Sequence, residues 1–165
     1  MNRTKIVILI LITVIIAFSG CVQQLGVPNE LPEDFDVKYG TGAIHAEWEQ
    51  FNFEMDNQGN AIFEKTMGTD KSEKYEFIVS ESERKKIYDA VVINNFFSLK
   101  DKYEDPTIMD GGWSEITITA NGESKTAILL NENQEQFAEV ENEIEKAIIS
   151  ELGIDAFSIT NLMNE

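Results

Sequence analysis

Residues 51–55, Phe-Asn-Phe-Glu-Met, alternate apolar and polar with the period of two that marks a strand with one buried face. The surrounding run 46–56 extends that pattern, although Trp48 falls on the opposite parity, which suggests a bulge or packing on both sides. Asp56-Asn57-Gln58-Gly59-Asn60 supplies turn chemistry, and the strand pattern resumes in Ala61–Thr66. A third strand places Tyr75, Phe77 and Val79 on one face. The period then changes. Ser80 with Glu83 three residues on is a capping box, and Ile87, Ala90, Val91 and Asn94 recur at helical spacing behind it. Phe96-Phe97-Ser98-Leu99 closes that helix in an apolar knot that plugs one end of the core.

The clearest local signal is residues 116–130, two alternating runs about Asn121-Gly122, the favoured type I′ hairpin turn. With those two residues as the loop, Ile118 faces Lys125, Ile116 faces Ala127, and Leu129 extends the apolar face. Thr117, Thr119, Ser124 and Thr126 line the opposite, hydroxyl-bearing face. A second helix begins near Asn133, buries Phe137, Val140, Ile144, Ala147 and Ile148, and stops at Gly153. Glu135, Glu139, Glu141, Glu143 and Glu145 are assigned to its solvated face, where pairs four apart repel by about 0.2–0.5 kcal/mol.

The order β-β-β-α-β-β-α with hairpin connections predicts a single α+β domain. Its antiparallel sheet of about five strands carries two helices on one face and turns its threonine-rich face to water. Residues 43–153 are the predicted domain, long enough to close one core without staples, and 154–165 form a C-terminal tail.

The N-terminus has a different character. Arg3 and Lys5 precede Ile6–Phe18, an apolar block interrupted by Thr13 alone. Its thirteen residues span about 20 Å as a helix, short of the roughly 30 Å hydrocarbon core and suited to a signal peptide at 1–20. Ser19 and Gly20 lead into Cys21, the chain's single cysteine. The segment resembles the lipobox of prokaryotic lipoproteins, in which the cysteine thiol is acylated and becomes the first residue; Phe18 replaces the usual leucine. The resemblance implies an anchor of acyl chains at Cys21 and a body outside the cytoplasm. An ordinary secretory signal or an uncleaved N-terminal anchor are the alternatives, and both give the same side of the membrane.

Charge narrows the partners. Residues 1–20 hold two of the 13 basic residues and no acid, so the remainder sets 11 bases against 30 acids, a formal charge of −19. Such a surface repels phosphate backbones, which excludes nucleic acid as an expected partner. With Cys21 acylated, no thiol is left for a disulfide. Residues 21–42 carry two of the three prolines and three of the ten glycines, and are assigned to a flexible tether with a reach near 25 Å. Gly40-Thr41-Gly42 is read there as a hinge.

From about residue 46 to 148 the chain resembles a family of uncharacterised domains of bacterial and archaeal lipoproteins. The features that carry the resemblance are WEQFNFEMDNQGNAIFE, the segment KYEFIVSESERKKIYDAVVINNFFSLKDKY, the hairpin ITITANGESKTAIL and a closing helix. Many members have a cysteine pair around the positions of Gly40 to Trp48. This chain has none there, so a redox or disulfide role of that pair is not expected. The resemblance implies a location and a fold, without an activity.

Candidate chemistry is sparse. His45 is the single histidine and no GxSxG elbow is present, so neither a nucleophile–base pair nor a zinc site is expected, and the chain is read as a non-enzyme without a cofactor. Asp101, Glu104, Asp105 and Asp110 lie in a loop-like stretch and can offer oxygens to Ca²⁺, although their spacing matches no EF-hand. Trp113, behind Gly111-Gly112, either anchors a partner or caps the core beside Phe96 and Phe97. The expected function is a lipid-anchored, extracytoplasmic, non-catalytic binding module at the cell surface. Its candidate contacts are Trp113, Thr117, Thr119, Ser124 and Thr126. The alternative is an extracytoplasmic enzyme or calcium-binding protein built on residues 101–112.

Overall fold

The computed structural model describes residues 30–44, 49–68, 71–108, 110–153 and 155–157. Cys21, His45 and Trp48, together with the predicted signal peptide, lie outside them. In chain order the elements are β1 (Asp36–Ala43), β2 (Glu49–Met55), β3 (Asn60–Met67), β4 (Lys71–Ile78), α1 (Glu81–Ile93), a 3₁₀ turn (Phe96–Ser98), β5 (Lys102–Glu104), β6 (Gly112–Ala120), β7 (Glu123–Leu130) and α2 (Glu135–Leu152). The strands form one sheet in the order β4-β3-β2-β1-β6-β7-β5. All neighbours are antiparallel except β5, which runs parallel to β7.

The α+β class is as expected, but the sheet is mixed and has seven strands where about five antiparallel ones were predicted. The two additions have different causes. β5 is three residues long, too short to show a period, and lies within the stretch read as an acidic loop. β1 comes from the stretch read as a tether, and it is the central strand, paired with β2 on one side and β6 on the other. Gly40 and Gly42 are therefore strand residues and not a hinge. The domain begins well before residue 43: Phe35, just ahead of β1, is fully buried against Tyr88 of α1 with ring centroids 5.4 Å apart. At the other end Ala156 is buried, and Phe157 packs edge-on against Phe51 and Phe63 at 5.3 Å each.

One sheet face is covered. Val37, Tyr39, Phe53, Phe63, Ile116, Ile118, Ala127 and Leu129 point into a core shared with α1 and α2. The helices bring Ile87, Ala90 and Val91 from α1, and from α2 the full predicted stripe of Phe137, Val140, Ile144, Ala147 and Ile148. Burial of each such large apolar side chain stabilises the fold by about 1.5–3 kcal/mol. Ser80 caps α1 by accepting the Glu83 N–H at 3.2 Å, as its capping box predicts. α2 is capped by Gln134, one residue later than predicted, whose side-chain oxygen accepts the Phe137 N–H at 2.9 Å. Phe96 plugs the core beside Phe137, 6.4 Å between centroids. On the covered face of β3 the ammonium of buried Lys65 lies 3.0 Å from Glu73, whose carboxylate also accepts the Tyr75 hydroxyl at 2.7 Å.

The predicted hairpin forms in register, Ile118 opposite Lys125 and Ile116 opposite Ala127. Asn121 and Gly122 have φ of 55° and 78°, the two positive angles a type I′ turn requires. The Asn121 and Gly122 N–H groups donate to the Asp34 carboxylate at 2.7 and 2.6 Å, which ties the turn to the approach to β1. Those bonds, that of Gly122 foremost, hold Asp34 below its ordinary carboxyl value. A side chain at residue 122 meets no neighbouring atom, so a substitution there tests the backbone alone. Gly122→Val is expected to cost more than about 1 kcal/mol. An unchanged denaturation midpoint would contradict the turn.

Candidate functional site

Two regions combine chemistry with access. The first is the sheet face that the helices leave uncovered. Trp113, Glu115, Thr117 and Thr119 of β6 point to this side, opposite in parity to buried Ile116 and Ile118. The Trp113 ring lies over Gly40 of β1: its Cη2 and Cζ3 stand 2.8 and 2.9 Å from where a Cβ on residue 40 would sit. Only a glycine at position 40 leaves room for the ring. Asn52 flanks the same spot, with its side-chain oxygen 3.3 Å from that point. Trp113 thus stays half-buried on an open face and does not cap the core beside Phe96 and Phe97. Around it Lys38, Asn52, Glu54 and Glu115 line a shallow pocket of about 210 Å³.

The predicted hydroxyl stripe shares this face. The Thr117 and Thr126 hydroxyls are 2.8 Å apart, and Thr119 donates to Ser124 at 3.3 Å. The five candidate contacts therefore lie on one surface, because β6 and β7 are adjacent and in the expected register.

Three of the four candidate acids of 101–112 take different partners. Asp101 pairs with Lys125, Glu104 with Lys102 at 2.6 Å, and Asp105 accepts the Thr107 hydroxyl and N–H at 2.6 and 2.9 Å. Those Thr107 bonds hold Asp105 below its ordinary value. Among the described residues no group of three or more His, Cys, Asp or Glu is placed to hold a metal ion.

The second region was not legible in the sequence. On the covered side, where β1 meets α2, the Tyr39 hydroxyl lies 2.8 Å from Glu145 Oε1 and 3.1 Å from Glu141 Oε1. Glu141 also bonds the Ser114 hydroxyl, which is 2.9 Å from that of Thr41. Glu141 and Glu145 are thus half-buried at the edge of the α2 stripe, and the solvated face assigned to them is corrected. Burial, reinforced by the two carboxylates, raises the Tyr39 phenol far above its ordinary value and keeps it a donor. Its single proton serves two carboxyl groups. Burial likewise raises Glu141; the Ser114 bond opposes this and the Glu145 charge adds to it. Two clefts flank the cluster, about 290 Å³ beside Glu141 and about 730 Å³ beside Glu145.

Because the Glu141 carboxyl is raised on folding, its contribution to stability is full below the ordinary value of 4.5 and is lost as pH rises through the higher folded value. Glu141→Gln lacks that titration. The stability of the variant relative to the parent is expected to increase between pH 4 and pH 7, read from paired denaturant titrations. A difference that does not change with pH would contradict a strained carboxyl here.

A family model described as Domain of unknown function (DUF6438) matches residues 38–148, more than half of the chain. The chain belongs to this family. The match runs from Lys38 in β1 to Ile148 in the last turns of α2 and so includes Tyr39, Gly40, Trp113, Ser114, Glu141 and Glu145. No curated protein matches the chain.

Proposed function

We propose that this protein is a lipid-anchored, extracytoplasmic binding module, held to the membrane through Cys21, whose open sheet face receives a neutral, hydroxyl-rich surface polymer such as a polysaccharide. The observation that carries the reading is the position of Trp113, laid over Gly40 on the sheet face that α1 and α2 leave uncovered. An aromatic ring held against the backbone offers an apolar platform at little entropic cost. The Asn52 amide flanks the ring, and the Thr117/Thr126 and Thr119/Ser124 hydroxyl pairs continue the same face farther along β6 and β7, which suits an extended ligand of apolar ring faces edged by hydroxyls. The formal charge of −19 on residues 21–165 disfavours anionic polymers. The apolar run ending at Cys21 supports the anchor and the location. Separate engagement of Asp101, Glu104 and Asp105 supports a non-catalytic role over calcium or enzymatic chemistry in that loop.

The test is migration in native gels containing dextran, glucomannan or hydroxyethyl cellulose. At least one polymer is expected to retard the protein. Trp113→Ala is expected to weaken the retardation on the order of tenfold while the protein stays folded. Retardation by none of the three, or equal retardation of the alanine variant, would overturn the proposal.

A further inference from the structure

The larger cleft beside Glu145 lies on the covered side of the sheet, between the β1–β2 end and α2, and so is separate from the Trp113 face. Phe51, Met67, Ile149 and Phe157 give it an apolar wall, and the carboxylates of Glu49 and Glu145 stand at its edge. Its volume of about 730 Å³ falls in the range of sites that enclose small organic molecules. We propose that this cleft is a binding site for a small organic cation, an ammonium group on an apolar body.

The charge balance of the site selects that class. The described lining holds two carboxylates and no basic side chain. Glu145 shares the Tyr39 proton with Glu141, which has the Ser114 hydroxyl besides, and no basic side chain of the described lining faces Glu145. An ammonium group at Glu145 supplies both positive charge and further donors, and such charge-assisted bonds are the stronger kind. An anion is repelled by the same groups. A neutral ligand of the same shape gains the apolar wall alone. Glu145 thus sets the charge preference, while Phe51, Phe157 and Ile149 take up the body of the ligand.

The experiment uses the full chain in an uncharged detergent and three probes that share one body: 4-phenylbutylammonium, 4-phenylbutanol and 4-phenylbutyrate. Binding is followed by NMR shifts of the Ile149 methyl groups. The ammonium is expected to bind saturably and at least tenfold more tightly than the alcohol, with the carboxylate weakest. Glu145→Gln, which keeps an acceptor for Tyr39, is expected to reduce the ammonium to the level of the alcohol. Glu49→Gln, at an exposed strand start, is a second variant expected to weaken the ammonium selectively should the first fail to fold. Equal binding of ammonium and alcohol, or the absence of saturable shifts, would overturn the proposal. So would ammonium binding that appears only after residues 158–165 are removed, because the cleft would then belong to the protein's own C-terminal segment.

Discussion

A chain that begins at residue 44 is expected not to fold, whereas one that begins at residue 30 folds cooperatively. The difference is β1. Its removal divides the sheet between β2 and β6, leaving β4-β3-β2 and β6-β7-β5 as separate ribbons with new edges where the centre had been. Phe35, Val37 and Tyr39 leave the core with it, each at most 3% exposed. Loss of Phe35 and Val37 alone forfeits about 1.5–3 kcal/mol each. Two ladders of backbone hydrogen bonds, worth about 0.5–1.5 kcal/mol per bond, are lost as well. Typical domains have about 5–15 kcal/mol in total, so the sum exceeds what the fold can spare. Circular dichroism and urea titration of the two truncated chains decide the matter. A cooperative transition in the chain starting at residue 44, with the midpoint of the longer one, would restore the tether reading of residues 21–42.

The largest expected effect on location comes from Cys21→Ser. In the proposed anchor a diacylglyceryl group would be attached to the cysteine sulfur through a thioether, and a serine at position 21 offers no sulfur for it. Stable anchoring requires more than one acyl chain, each buried methylene contributing about 0.8 kcal/mol. Without the modification, the protein is expected to accumulate as an unprocessed or soluble form. Detergent phase partitioning, with mass analysis of the mature N-terminus, reads both outcomes. Recovery of the serine variant as an equally processed, membrane-bound species would contradict the anchor.

The sequence is informative where local pattern and tertiary structure agree. The Asn121-Gly122 hairpin and the α2 stripe are such cases, because turn chemistry and a period of 3.6 suffice to place them. β1 escapes that logic. In Asp36–Ala43 the covered face is marked by Val37 and Tyr39, but on the open face Gly40 contributes no side chain of its own. Its cover is the ring of Trp113, 73 positions along the chain. Two glycines with nearby prolines resemble a linker until that ring is in place. The carboxyl cluster is hidden for a similar reason. Glutamates on a helix read as solvated, and nothing local to Glu141 or Glu145 signals a tyrosine 102 and 106 positions earlier. Both residues flank the buried row of α2, where a charged side chain can turn to water or to a partner across the core edge. The acidic stretch at 101–112 is the opposite case: acids close in sequence take different partners, Lys125 for Asp101, Lys102 for Glu104 and Thr107 for Asp105.

The most direct test of a binding face centred on Trp113 reads that ring itself. In a Trp48→Phe background Trp113 is the sole tryptophan, and its fluorescence reports its exposure to acrylamide. The free protein is expected to be quenched, as a half-buried ring on an open sheet face allows, and a polysaccharide that retards the protein in gels is expected to shield it. Absence of quenching in the free protein, or quenching that a saturating amount of that polysaccharide leaves unchanged, would contradict the account.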